Sequence, residues 1–296
     1  MPATRFICPS GEEVLIRKCL AGCPSGTRCL IHPTLSAMAE STFRKLRQPS
    51  VTELIVGTRE AFLKKTTDYA IDPQARLFAL SGSAVHAAHA GQADAFLSEA
   101  RFHCDTFCGQ IDLYGDVLGD GIPTLADLKT VGSYKALKAL GLEAVDVETG
   151  EVYKSGERKG QPKTRKEWLA GGRRDVREWA LQLNAYRYLL EKEGFPVGRM
   201  VVQLLVRDAG LEVASRRGID RGGYVIEINR ISDRWIERYF KLKSRRLYEA
   251  LWTGRIPGTC RSSERWQADR KCRYYCEVRS GCDYAKSLLA KDREAA

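Results

Sequence analysis

The sequence predicts a mixed α/β fold, a central β-sheet flanked by helices, with a cysteine-rich metal-binding module at each end. Three observations carry that expectation. Stretches of strand character and of helical period follow one another between residues 50 and 255. Hydrophobic residues fill 44% of the 296 positions, enough for a packed core. Eight of the ten cysteines fall into two quartets at opposite ends of the chain.

The first quartet, Cys8, Cys19, Cys23 and Cys29, is spaced C-x10-C-x3-C-x5-C, and the second, Cys260, Cys272, Cys276 and Cys282, C-x11-C-x3-C-x5-C. Met1–Phe6 has no apolar signal core and no run is long enough for a membrane span, so an intracellular, membrane-free protein is expected. There, thiols point to metal before disulfides. Four thiolates suffice for a tetrahedral zinc site or an iron-sulfur cluster; four free buried thiols are the plainer alternative. Residues 1–35 read as a metal-stapled module with too few apolar residues for a core, and Cys8-Pro-Ser-Gly and Cys23-Pro-Ser-Gly as knuckle-like turns.

Ser50 and Glu53 form a capping-box signature for a helix running to Lys64. A second helix is expected after Gly82, carrying His86 and His89, and Glu99 opens the first strand of the sheet. Cys104 and Cys108 read as inert thiols. Gly109–Tyr114 and Thr124–Thr130 read as two strands of a hairpin, joined through Gly115, Gly119, Asp120, Gly121 and Pro123. Strand side chains repeat every second residue, so Asp127 and Lys129 share a face. Two carboxylates, from Asp112 and Asp127, beside an ammonium can hold a divalent cation, the equipment of metal-assisted phosphodiester hydrolysis. A solvated cross-strand ion pair is the bland reading of the same residues.

Residues 153–168 hold six Lys or Arg against two Glu with no period and read as a mobile basic loop, either simply solvated or touching DNA. Trp168 could stack on a base or anchor the loop. Arg174–Glu193 has a period near 3.6 and places Gln182 and Tyr186 on one face. Arg199–Val206 and Tyr224–Asn229 read as strands; Ser232 caps a helix through Leu251, stopped by Gly254 and Pro257. The formal charge of +11 suggests a polyanionic partner.

Gly82-x3-His86, Glu99, Gly109-x-x-Asp112, Asp127-x-Lys129 and Gln182-x3-Tyr186 together resemble the ordered motifs of the PD-(D/E)XK nuclease superfamily. The likeness is to its RecB-like branch, exonucleases of recombination machines and CRISPR adaptation, and spans roughly residues 50–285. It implies a restriction-endonuclease-like core over 36–255 and a cluster-closing segment over 256–296. It implies Mg²⁺ or Mn²⁺ held by Asp112, Asp127, the Leu128 carbonyl and His86, with Glu99 as ligand or water anchor. Lys129 would orient water and stabilise charge, Gln182 and Tyr186 would position phosphate or lysine, and cleavage would leave a 5′-phosphate. The branch often closes with a four-iron four-sulfur cluster, here implied at Cys260, Cys272, Cys276 and Cys282; zinc is expected at the first quartet and remains open at both. The branch takes its first cluster cysteine from the helix before the histidine, where this chain reads Gly57-Thr58-Arg59-Glu60; Cys260 or an amino-terminal cysteine has to substitute. The implied partner is DNA, single-stranded or with free ends, together with recombination or replication proteins, in recombination, repair or phage DNA processing. The competing expectation is a non-catalytic DNA-binding adaptor with two zinc modules; an RNA-cutting enzyme of the same fold stays open.

Overall fold

A computed structural model describes residues 3–41 and 48–294. Its elements, in chain order, are β1 (Arg5–Ile7), β2 (Glu13–Leu15), α1 (Ile16–Ala21), α2 (His32–Ser41), α3 (Val51–Ile55), α4 (Thr58–Thr66), β3 (Ala70–Ile71) and α5 (Pro73–Ala90). There follow β4 (Leu97–Ser98), β5 (Arg101–His103), β6 (Cys108–Gln110), β7 (Leu113–Gly115), β8 (Thr124–Val131), α6 (Ser133–Leu140), β9 (Leu142–Val152) and β10 (Pro162–Ala170). The rest are α7 (Arg177–Lys192), β11 (Arg199–Val206), α8 (Glu212–Ser215), β12 (Gly223–Glu227), α9 (Asp233–Thr253), α10 (Ser262–Arg265) and α11 (Asp283–Glu294). The fold is mixed α/β, with helices flanking mixed sheets.

The main sheet has the order β12-β11-β8-β7-β4; β11 and β8 are parallel and the other pairs antiparallel. The central strand β8 is apolar on both faces except where chemistry intrudes: Leu125, Ala126, Asp127 and Leu128 are all buried. The β7–β8 turn is tied by Asp116, which accepts from the Asp120 and Gly121 amides, while Asp120 takes the Arg199 guanidinium at 2.7 Å. α7 packs its apolar face into the core, and Asn184 on it fastens the chain after β12 by donating to the Asn229 carbonyl and accepting from the Ile231 amide. Among the described residues no helix is long and apolar enough to cross a membrane.

Several sequence expectations need correction. The helix from Ser50 is broken at Val56 and Gly57 into α3 and α4, although Ser50 does cap it, accepting from the Glu53 amide at 3.2 Å. The His86 helix begins nine residues before Gly82, because Asp72 accepts from the Gln74 amide as N-cap and Pro73 takes the first helical position. Gly109–Tyr114 is not one strand: it breaks at Ile111–Asp112, so that β6 pairs with β5 and only β7 joins β8. The basic stretch is a loop only over residues 153–161; from Pro162 on it is strand. Residues 142–170 form a long antiparallel arm, β9 with β10, exposed on both faces. Without a buried face there is no hydrophobic alternation to read. At its base, a Cβ on Gly141 would stand 2.5 Å from the Gly172 carbonyl, and its φ of +66° suits glycine.

Buried residues between 3 and 35 belong to the common core. β1 lies between β2 and β3, and Phe6, Ile16, Cys19 and Leu35 are buried in the same cluster as α4 and α7. The carboxyl-terminal segment is likewise pinned to the rest. Lys243 of α9 meets Glu264 at 2.5 Å and donates to the Val56 carbonyl, while Lys271 and Glu277 reach Glu60 and Lys64 of α4 at 2.7 and 3.1 Å.

Candidate active site

The site is built at two facing kinks. β4 and β5 are separated at Glu99–Ala100, and β6 and β7 at Ile111–Asp112. The kinks oppose one another: the Glu99 amide donates to the Asp112 carbonyl and the Ile111 amide to the Ala100 carbonyl. Glu99 sits at a φ of +49°, a left-handed conformation costing a non-glycine residue on the order of 1 kcal/mol. The bend turns both carboxylates toward α5. There His86, Glu99 and Asp112 each offer a ligand atom, all within 4.8 Å of one another. His86 Nδ1 stands 3.5 Å from Asp112 Oδ2 and 3.7 Å from Glu99 Oε1.

The second half comes from β8 and α7. Lys129 Nζ lies 2.6 Å from Asp127 Oδ2, as the shared strand face requires. Gln182 donates to Asp127 Oδ1 at 3.1 Å and lies equally near the Tyr186 hydroxyl, one helical turn on. Leu128, expected to offer its carbonyl, meets the site through its N–H, which donates to Asp112 Oδ2 at 2.8 Å. Thus His86, Glu99, Asp112, Asp127, Lys129, Gln182 and Tyr186 gather in one region, but as two linked sets. The ligand triad does not include Asp127, whose oxygens face Lys129 and Gln182.

Electrostatics show how crowded the negative charge is at this set. Burial strips water from Asp112 and the Asp127 charge repels it, so its pKa climbs to about 7 despite Lys129, the Leu128 amide and His86. Burial opposes the charge of Lys129, but Asp127 and Asp112 outweigh it and hold its pKa above the usual value. Lys129 is therefore an ammonium at neutral pH, a donor rather than a base. Burial, then the Asp127 charge, raises the Tyr186 pKa and keeps that hydroxyl protonated. Asp127 Oδ2 is buried and, among the described residues, makes no hydrogen bond of normal geometry beyond its ion pair. Three carboxylates face one ammonium, a surplus of negative charge that a divalent cation matches.

Two supporting residues escaped the sequence reading. Gln110 donates to Glu99 Oε2 at 2.6 Å, and Arg101 donates to Gln110, so β5 and β6 hold the strained glutamate in place. Their i and opposite-partner relation in the β5–β6 ladder was the available signal.

The second cysteine quartet lines a small, partly open cavity, closed by Arg59, Glu60 and Leu63 of α4. Burial raises the thiol of Cys272 to about 11, with the Cys260 charge adding to it, and that of Cys276 to about 12, with Glu60 adding. Arg59 points at Cys282, 3.7 Å from its sulfur. A Cβ on Gly57 would fall 2.1 Å from Cys260 Sγ, so the Cys260 thiol occupies the place beside α4 that a residue-57 side chain would take. In the first quartet, the two Cys-Pro-Ser-Gly turns close alike, Gly11 donating to the Cys8 carbonyl and Gly26 to that of Cys23, with glycines at φ +87° and +84°. Burial and then the charges of Cys8, Cys23 and Cys29 raise the Cys19 pKa. Cys104 donates to the Phe107 carbonyl, while Cys108 donates to that of Gln48 and accepts from Arg101. Trp168 is an anchor: its indole donates to the Arg216 carbonyl at 2.9 Å and its ring covers Gly218.

No family model and no curated protein matches the chain. A crystal structure of a protein designated SSO0001 is similar at 12% identity with a TM-score of 0.43, over 86% of this chain and 93% of the other.

Proposed function

We propose that the chain is a divalent-metal-dependent deoxyribonuclease that hydrolyses DNA phosphodiesters, of the PD-(D/E)XK type with a restriction-endonuclease-like core. The observation that carries this reading is the convergence of His86, Glu99 and Asp112 beside the Asp127–Lys129 pair on the central strand. The donors, carboxylate oxygens and one imidazole, suit Mg²⁺ or Mn²⁺, and the under-bonded Asp127 Oδ2 and proton-hungry Asp112 are the groups such an ion would satisfy. When bound, the ion would polarise the scissile phosphate and lower the pKa of water.

The chain's own groups then divide the remaining work. Asp112 and Asp127, with His86 and Glu99, would hold the cation. Lys129, kept charged by the two aspartates, orients the attacking water and stabilises charge growing on phosphate oxygens. Gln182 fixes Asp127 and thereby the direction of Lys129, and the protonated Tyr186 completes that support from α7. The same reading assigns a four-iron four-sulfur cluster to Cys260, Cys272, Cys276 and Cys282, with Cys260 taking over the ligand position beside Gly57, and zinc to Cys8, Cys19, Cys23 and Cys29. An exonuclease of DNA recombination, repair or phage DNA processing is the setting these parts fit, and recombination or replication proteins are its expected partners.

End-labelled DNA incubated with purified protein and Mg²⁺ or Mn²⁺ tests the reading. Shortened products carrying 5′-phosphates are expected, with none in chelator. Salt-sensitive binding without metal-dependent cleavage would instead establish the adaptor.

A further inference from the structure

We propose that the groove between the carboxyl-terminal half of α9 and residues 255–261 is a second grip on the DNA strand, holding phosphodiesters of its backbone outside the cutting site. The inference rests on the nuclease reading and deepens it, because it gives the strand a surface that none of the catalytic groups lines.

The groove follows from how the chain leaves α9. Gly254 ends the helix in a left-handed turn at a φ of +69°, and residues 255–261 return alongside it. Two ties fix that return. Arg59 of α4 donates to the Pro257 carbonyl at 2.8 Å, and Glu264 accepts from Lys243 of α9 at 2.5 Å. Helix and returning segment enclose about 440 Å³ between them. That lies within the range of about 300–1,000 Å³ usual for clefts that hold ligands.

Charge decides which ligand. Arg246 from α9, with Arg255 and Arg261 from the returning segment, brings three guanidinium groups to the groove. All three residues are exposed, and among the described residues none of them forms an ion pair. The lysines of the same helix are matched, Lys241 by Glu237 at 2.7 Å and Lys243 by Glu264 at 2.5 Å. Glu264 is spent, since its second oxygen accepts from the Arg261 amide at 2.8 Å. Glu249 is the other carboxylate that lines the groove, so three guanidinium groups stand against one unmatched acid. Guanidinium stays charged at every accessible pH and fits phosphate oxygens with its paired N–H groups. Drawn from a helix and from both ends of the returning segment, the three suit several phosphates in a row rather than one. The hydroxyl residues Thr58 and Thr259 line the same groove and add donors of the kind that contact DNA backbone.

The test is binding of a fluorescein-labelled single-stranded oligonucleotide across a salt series, with Ca²⁺ replacing Mg²⁺ so that the DNA stays whole. Losing one phosphate contact on a single strand makes the log–log salt slope shallower by about 0.7, which at about 0.1 M salt is about a five-fold loss of affinity. Arg246→Ala and Arg255→Ala should each show that loss, and the double variant about twice the change in slope, with the thermal unfolding curve of the parent. Arg245→Ala removes the same charge from an exposed residue that does not line the groove, and its effect should be less than half as large. An Arg245→Ala effect of half or more, or groove variants that bind as the parent does, would overturn the proposal. So would micromolar binding of 5′-dAMP that Arg246→Ala abolishes, which would give the groove to a free nucleotide. Those results leave the nuclease reading standing if the parent cleaves in Mg²⁺. A parent that binds through the groove and never cleaves brings down the nuclease reading instead.

Discussion

The oxygen-lined pocket and the second cysteine cavity solve opposite problems with the same ingredient, crowded groups that resist burial. In the pocket, rigid strands force carboxylates together: Asp112 and Asp127 cannot separate because β7 and β8 are paired through Leu113 and Ala126. In the cavity the cysteines sit on irregular chain after Gly254, and what gathers them is a ring of ion pairs from outside, Lys243–Glu264, Lys271–Glu60 and Lys64–Glu277. A site built on a sheet holds its geometry empty. One built on loops borrows its shape from neighbours and from whatever the sulfurs bind.

That contrast can be broken by uncoupling the two. The largest effect should come from Asp127→Asn or Lys129→Ala, each lowering cleavage by about 10³-fold or more while DNA binding and visible absorbance stay as in the parent. Glu264→Ala should do the reverse. It leaves the Lys243 ammonium buried and unpaired, which costs about 3–5 kcal/mol of stability in chemical denaturation, and under the proposed reading the iron content should fall without any change in the response to Mn²⁺. A finer test exchanges positions. Cys260→Gly should lose the iron and sulfide measured after anaerobic purification, and adding Gly57→Cys should recover much of it, since the new thiol starts from the point that Cys260 now reaches.

The pocket should also announce itself in pH dependence. Asp112 binds its proton more tightly when folded, up to about 7 from 3.8. Its contribution to the stability of metal-free protein is thus full below the ordinary carboxylate range and fades as pH rises through about 7. Mn²⁺ competes with that proton, so the rise in melting temperature on adding Mn²⁺ should grow across the same interval, and Asp112→Asn should flatten it. The smallest effect is expected at Trp168→Phe, which removes one hydrogen bond to the Arg216 carbonyl, worth about 1 kcal/mol, and should leave the rate of any cleavage and the metal content of the parent unchanged.

How much could be read from residues alone follows the same division. β11 was legible to the residue, because a strand buried between β8 and β12 is apolar from Met200 to Val206 but for Gln203. The shared face of Asp127 and Lys129 followed from strand periodicity, and the α7 row of Gln182 and Tyr186 from helical periodicity. The kinks at Glu99 and Asp112 were not legible, since no glycine or proline marks them and the strain is held by pairing between segments distant in the chain. Nor was the arm of β9 and β10, whose residues face water on both sides. That Cys260 would fill the space beside Gly57 needed coordinates: the two positions are close only after the chain has folded back on itself.

The pairing of α4 with the last cysteine segment also sets an order of events during synthesis. Glu60 and Lys64 leave the ribosome some two hundred residues before Lys271 and Glu277, the partners that neutralise them. Until those arrive, Glu60 and Lys64 have only each other, 3.2 Å apart on α4, to balance their charges. The nascent protein should therefore pack less tightly around this helix until Lys271 and Glu277 have been made, and a chain cut shortly before residue 271 should be digested faster by proteases.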